Sequence, residues 1–299
     1  MVQLPESAET ACAARTVAWG SDSEWRPLCS VALAWPPIAL RAIPDPAAWL
    51  LRGRPDLGLL REQTLSLAAY YRAHGVVVRM LDAEDAPPNI LFLRDTFLMT
   101  PAGAILARPA HAVRQPEIAY VRAFLDQERI PIIGEVGSPG RFEGADALWL
   151  RPDLLVIGVG NRTDRAGAGQ VSRLLAPYGV VTRFVSAPLR SQHLLGGMVP
   201  VRDDVFLRDG VGADARALLR DGPWSLHDVA DDAEVVDRRC LNFVALGPAR
   251  VVAPTMSGAS LARLGIGGAT IDQIDVSEYL VCDGGIACAT GILGRQTAS

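Results

Sequence analysis

The chain has 299 residues, 49% of them apolar, enough to bury a large core in one large domain or two ordinary ones. Its 29 basic and 33 acidic residues leave a formal net charge of -4, spread along the chain. That distribution argues against a nucleic-acid partner, which needs a basic face. No apolar run approaches the roughly 18 residues of a membrane span. Every basic residue is arginine, so a Schiff-base lysine, a P-loop lysine and a lysine general base are all excluded.

Residues 1–26 carry Glu6, Glu9, Asp22 and Glu24 among small residues, with no basic start and no apolar stretch. They read as a flexible leader and not as a signal peptide, with the cytoplasm as the default compartment. A strand is expected at 31–35. A helix at 57–74 is stopped by Gly75, and a buried strand follows at 76–80. Short strands at 90–93 and 104–107 flank the turn Pro101-Ala102-Gly103. A helix at 116–127 opens with proline, as first turns often do. Strands follow at 130–133, 147–149 and 154–159, then a helix at 166–176 and a strand at 180–184. The same alternation returns with a strand at 205–207, a helix at 213–219 and strands at 242–246 and 251–253. A helix at 257–264 and a strand at 271–274 complete it. Strands grouped around one helix every 45 to 60 residues or so imply structural repetition. No linker divides the chain, so 27–299 reads as one α/β domain; two stacked α/β layers are the simpler alternative.

Five cysteines (Cys12, Cys29, Cys240, Cys282, Cys288) are widely spaced and odd in number, which disfavours a disulfide framework. The four histidines (His74, His111, His193, His227) show no zinc-ligand spacing. An isolated cysteine is usually a small buried hydrophobe, and that reading suits Cys12, Cys29 and Cys240. Cys288 differs. It follows Asp283-Gly284-Gly285-Ile286-Ala287, where two glycines permit a tight backbone approach and could present a thiol to a pocket. His193, in Gln192-His193-Leu194-Leu195-Gly196-Gly197, is either a satisfied buried imidazole or a general acid and base. Glu143 and Asp146 flank a glycine turn in Phe142-Glu143-Gly144-Ala145-Asp146, and Arg94 and Asp95 sit between apolar neighbours in Phe92-Leu93-Arg94-Asp95-Thr96-Phe97. Carboxylates in apolar surroundings need partners. A structural arginine is one solution and a cationic ligand is the other; a planar guanidinium fits a carboxylate in bidentate geometry.

Taken in order, Phe92-Leu93-Arg94-Asp95, Phe142-Glu143-Gly144-Ala145-Asp146, Gly160-Asn161-Arg162-Thr163-Asp164 with Gly167, His193-Leu194 and the C-terminal Asp-Gly-Gly-Ile-Ala-Cys form a recognisable set. The set resembles the guanidine-modifying (pentein) superfamily of dimethylargininases, arginine deiminases and amidinotransferases, over about residues 27–295. The resemblance implies a five-bladed, pseudo-symmetric α/β propeller of ββαβ-type units around a polar pocket. It implies that Cys288 is the nucleophile, His193 its acid and base, and Glu143 the carboxylate partner of the histidine. It further implies substrate contacts from Asp95 to the guanidinium and from Arg114 and Arg162 to a substrate carboxylate. Asn89, Arg94, Asp146 and Cys282 join them as expected pocket residues.

Three departures narrow the branch. Leu195 stands where deiminases and amidinotransferases carry aspartate two residues after the histidine, which favours a substituted, more apolar guanidine. Arg94 replaces the carboxylate that dimethylargininases place before the aspartate. Asn89 replaces the aspartate that grips a substrate α-amino group, and a neutral amide holds an ammonium less strongly. The expected activity is cysteine-dependent hydrolysis of a substituted guanidine such as an N-methylated arginine. It would pass through a covalent thiouronium and release an amine and a citrulline-like urea. Amidino transfer and arginine- or citrulline-type hydrolysis are the alternatives, and a non-catalytic binding protein of the same fold is a remote one. No metal or organic cofactor is expected, and the partner is a small guanidine, with no nucleic acid or membrane involved. The chain is expected to be a monomer or homodimer.

Overall fold

A computed structural model describes residues 19–188, 190–265 and 268–298. Strand β1 (Leu28–Ala34) leads through helix α1 (Leu57–Ala73) to β2 (Val77–Leu81), which pairs parallel to it. The helix starts where Asp56 accepts from the N–H groups of Gly58 and Leu59, satisfying two of the free donors of its first turn. Leu57, Leu60, Thr64, Leu67, Ala68 and Tyr71 then recur at three- and four-residue spacing and form its buried face.

The next three units share one plan, a hairpin followed by a helix and a parallel strand. The second contains β3 (Phe97–Thr100), β4 (Gly103–Leu106), α2 (Glu117–Gln127) and β5 (Ile132–Glu135). The third contains β6 (Ala147–Arg151), β7 (Leu154–Val159), α3 (Arg165–Leu175) and β8 (Val181–Ser186). The fourth contains β9 (Met198–Val201), β10 (Asp204–Arg208), α4 (Ala213–Arg220) and β11 (Ser225–Val229). After the short α5 (Ala233–Val236), the fifth contains β12 (Val244–Gly247), β13 (Arg250–Pro254), α6 (Gly258–Leu264) and β14 (Thr270–Ile274). Two short helices, α7 (Ser277–Val281) and α8 (Ile286–Ala289), precede β15 (Gly291–Arg295), which pairs antiparallel to β1 and completes the first sheet.

Five three-stranded sheets result, each with its middle strand flanked by one antiparallel and one parallel neighbour. This is the expected five-bladed α/β propeller. Middle strands such as β4 and β7 are buried almost throughout, whereas β2 and β8 alternate between exposed and covered positions. A strand covered on both faces needs a continuous apolar run; an outer strand needs one only on alternate residues.

The expected strand at 90–93 is replaced by two 3-10 turns, Pro88–Leu91 and Leu93–Asp95, and the strand begins at Phe97. An apolar run does not by itself separate these conformations, and Pro87-Pro88 favours the turn. The strands β9 and β11 were not expected from sequence. Pro200 sits in β9, an edge strand, where a missing N–H is tolerated. Residues 19–26 are not a loose leader: Gly20 donates to the Leu293 carbonyl at 2.8 Å, Ser21 and Asp22 are buried, and Glu24 pairs with Arg94 at 3.0 Å. Residues 1–18 of that leader lie outside the described residues. Among the described residues, no helix is long and apolar enough to cross a membrane.

Candidate active site

In every blade, a short turn or helix stands immediately before the strand that flanks the middle strand antiparallel. Those turns carry, in blade order from the second, Asp95, Glu143, His193, Asn242 and, ahead of β15, Cys288. The turns of the second, third and fourth blades pack on one another in sequence, and α8 packs on the Leu93–Asp95 turn. Groups up to 193 residues apart in sequence thereby meet at one place. Asp95, His193, Asn242 and Cys288 line a single cavity, and Glu143 stands behind His193.

The local chain forces this approach. A side chain on Gly284 would strike the ring of Phe92, and one on Gly285 would strike Asn242 Oδ1 at 2.5 Å. Only glycine at both positions lets the segment before α8 lie against the opposing turns. Asn242 then closes the contact. Its Oδ1 accepts from the Ala287 N–H at 2.8 Å, and its Nδ2 donates to Cys288 Sγ at 3.2 Å.

Across the cavity, Glu143 Oε2 is 2.6 Å from His193 Nε2, while Glu143 Oε1 accepts from the Ala110 N–H at 3.0 Å. Burial alone would raise the Glu143 carboxyl. His193, Arg114 and Arg162 hold it well below the usual carboxylate range. Burial would lower His193, but Asp95, Glu143 and Asp146 outweigh it and push the imidazole up to about 9. His193 is therefore an imidazolium at neutral pH, with Nδ1 at 3.7 Å from Asp95 Oδ1. Burial, and after it the charge of Asp95, pushes the Cys288 thiol up; Arg239, Gly285 and Asn242 only partly offset this. The site without ligand thus holds a neutral thiol facing a protonated histidine.

Asp95 Oδ2 accepts from Arg114 Nη1 at 2.6 Å, but its Oδ1 is buried without a hydrogen-bond donor. A carboxylate oxygen in that condition costs free energy until a donor arrives. Asp95, Glu143 and His193 also offer ligand atoms within 4.8 Å of one another, a spacing a metal ion could use. The permanent charge of Arg114 on Asp95 and the Glu143–His193 hydrogen bond compete for the same lone pairs.

The remaining expected residues divide. Asn89 and Arg162 line the cavity. Arg114 lines it too, but is not a free grip for a substrate carboxylate. Its guanidinium is spent on both oxygens of Glu117, on Asp95 and on the carbonyls of Asn89 and Phe92. Arg94 does not reach the cavity; it forms hydrogen bonds to both oxygens of Glu24 at 3.0 Å, because its neighbour Asp95 takes the inward position on the 3-10 turn. Asp146 lies outside the lining as well. Its two oxygens accept from Thr163 Oγ1 at 2.7 Å and from the Leu194 N–H at 2.9 Å, so it fixes the backbone beside His193. Cys282 is fully buried in the cavity wall, and burial pushes its thiol up to about 12, which leaves it inert. Cys29 is disulfide-bonded, a pairing the odd cysteine count did not suggest.

Asn242, Arg239, Gln192 and Asp283 were missed from sequence and all line the cavity. For Asn242 a signal existed, since it stands where each other blade places its polar group; only the register of β12 exposes it.

A sequence model of the arginine deiminase family matches residues 70–193. The N(G),N(G)-dimethylarginine dimethylaminohydrolase of Pseudomonas aeruginosa is 23% identical over 245 residues, 79% of this chain and 89% of that protein. A cysteine-to-serine variant of the enzyme from Pseudomonas aeruginosa, solved with citrulline, superposes with a TM-score of 0.73 at 20% identity, covering 88% of this chain and 98% of that one. An amidinotransferase of saxitoxin biosynthesis from Microseira wollei superposes with a TM-score of 0.76 at 16% identity, covering 94% and 98%. At these identities the structural likenesses establish the fold.

Proposed function

We propose that this chain, whose matches support the guanidine-modifying (pentein) superfamily, is a cysteine-dependent hydrolase of a substituted guanidine. The observation that carries the reading is the Oδ1 of buried Asp95, which has no hydrogen-bond donor, in one cavity with the Cys288 thiol and the protonated His193. A guanidinium supplies the donor that Asp95 lacks and, as a cation beside Cys288, favours the thiolate.

The Cys288 thiol releases its proton to solvent as the cation binds, and the thiolate attacks the guanidine carbon. His193 gives a proton to the departing amine, leaving an S-alkylthiouronium on Cys288. Neutral His193 then takes a proton from water as its oxygen adds to the same carbon. The carbon–sulfur bond breaks, releasing a urea-type product and the thiol. Glu143 takes no proton; it orients the imidazole and keeps it charged. Leu195 and Phe92 line the cavity as apolar surface suited to the substituents of an alkylated guanidine. The P. aeruginosa relative, whose name gives dimethylarginine as its substrate, supports the same class of reaction.

The test is product analysis with dimethylarginine and other substituted guanidines. Wild type should release an amine and a urea-type product, Cys288→Ser should release neither, and His193→Ala should accumulate a covalent adduct visible by intact-protein mass. An active Cys288→Ser variant overturns the mechanism. Consumption of guanidine only when an amine acceptor is added would favour amidino transfer instead.

A further inference from the structure

The outer half of the cavity is built differently from its floor. Arg162 Nη2 donates to Gln192 Oε1 at 2.9 Å, while its Nη1 is buried without a hydrogen-bond acceptor, 3.6 Å from Glu143 Oε1. Arg239 pairs through Nη2 with Asp283, and its Nε is likewise buried without an acceptor. Gln192 joins the two, since its Nε2 donates to the same Asp283. Both arginines therefore bring unsatisfied N–H groups to one cavity, each a cost until an acceptor enters.

No comparable anion is left there for a cation. Asp283 already takes Arg52 at 2.5 Å, Arg239 and Gln192. Asn89 has no charge, and its Nδ2 is given to the Trp49 carbonyl at 2.5 Å. Arg162, Ser191 and Gln192 also line a second depression with His111, Arg141, Asn161 and Arg190, which has no acidic side chain in its lining among the described residues. An ammonium entering this half would meet Arg162 and Arg239 around one neutralised carboxylate.

We propose that the distal end of the substrate is an anion without a neighbouring ammonium, which makes the substrate class ω-guanidino carboxylates, read by Arg162 and Arg239. This rests on the assignment of the Asp95 floor to the guanidinium. The carboxylate supplies acceptors to both orphan N–H groups, and the absence of an α-ammonium avoids like-charge contact with Arg162 and Arg239.

Equilibrium calorimetry on Cys288→Ser, expected to bind without turnover, tests this. The probes are 5-guanidinopentanoate, arginine and the Nω,Nω-dimethyl form of each. Each desamino acid should bind at least tenfold more tightly than its α-amino counterpart, and Arg239→Gln in the same background should cut that preference at least fivefold. Equal or tighter binding of the α-amino acids overturns the proposal, as does absence of binding by all four or an unchanged preference in a folded Arg239→Gln variant. The ligand comparison stands alone if that second variant does not fold. Wild-type turnover is scored separately. Selective binding without product would sink the hydrolase reading and leave the inference intact, whereas hydrolysis that favours dimethylarginine would do the reverse.

Discussion

The two walls of the cavity solve opposite electrostatic problems. The wall from the second to fourth blades is a dense charge network, with Arg114, Asp95, Glu117, Glu143 and His193 buried in contact. On the wall from the fifth and first blades, Cys288 takes its hydrogen bond from a neutral amide, Asn242, at 3.2 Å, and the charges of Arg239 and Asp283 are paired with each other. Paired carboxylates keep His193 protonated up to about pH 9. A second fixed charge beside the thiol would either hold it as a permanent thiolate or repel the substrate. With the charges on that wall paired, the proposed mechanism leaves the arriving cation to decide when the thiol ionises. In the proposed mechanism, charge is thus stored where a proton is given and kept paired where the nucleophile waits.

Removing the anion behind the histidine should break this contrast most severely. Glu143→Gln lowers the His193 pKa, because it removes one of the carboxylates that, with Asp95 and Asp146, raise it. The protonated acid is required for amine release, so the limb of kcat/KM that falls above about pH 9 in wild type should move to lower pH. The rate at pH 8 should drop by about 10²- to 10⁴-fold, the usual worth of general acid catalysis. A pH–rate profile unchanged in position would show that Glu143 does not set the charge of His193.

On the opposite wall, Asn242→Ala removes the donor to the thiolate and the acceptor of the Ala287 N–H. The thiol pKa rises further, so the ascending limb shifts to higher pH and the neutral-pH rate falls about tenfold to a hundredfold, as for a hydrogen bond to a charged group. Haloacetamidine labelling rates across pH read the same shift at Cys288 directly. Labelling at the wild-type rate would remove Asn242 from the thiol's chemistry.

The smallest effect should fall on the support behind the charged wall. Asp146→Ala leaves the Leu194 N–H and the Thr163 hydroxyl without their acceptor and should cost about 1–3 kcal/mol of stability, measured by urea unfolding. Activity should fall through displacement of His193, with the position of the pH limb moved less than in Glu143→Gln. A stability equal to wild type would show that the backbone beside His193 needs no such anchor.

Much of this site was legible in sequence because its nucleophile and charges stand beside glycine turns or in apolar surroundings. Cys288, His193, Glu143 and Asp95 each stand in such a setting in the sequence. Arg94 and Asp146 stand in the same settings and face elsewhere. A charged residue among apolar neighbours signals that it has a partner, but not whether that partner is protein or ligand. Direction was the missing quantity, and on a 3-10 turn one residue of offset turns a side chain to another side of the chain.

The sequence by itself determined the alternation of helix and buried strand, since burial on one face or both imposes a period that survives without neighbours. It also determined the chemistry on offer: one thiol after two glycines, one histidine in a glycine-rich loop and no lysine. Only the tertiary structure decided that β15 closes the first sheet and that α8 faces the turns before β3 and β12. Those are contacts between distant segments, with no periodicity to announce them. The same closure brought Asn242 to Cys288 and gathered Arg162, Gln192, Asp283 and Arg239 into the outer half of the cavity.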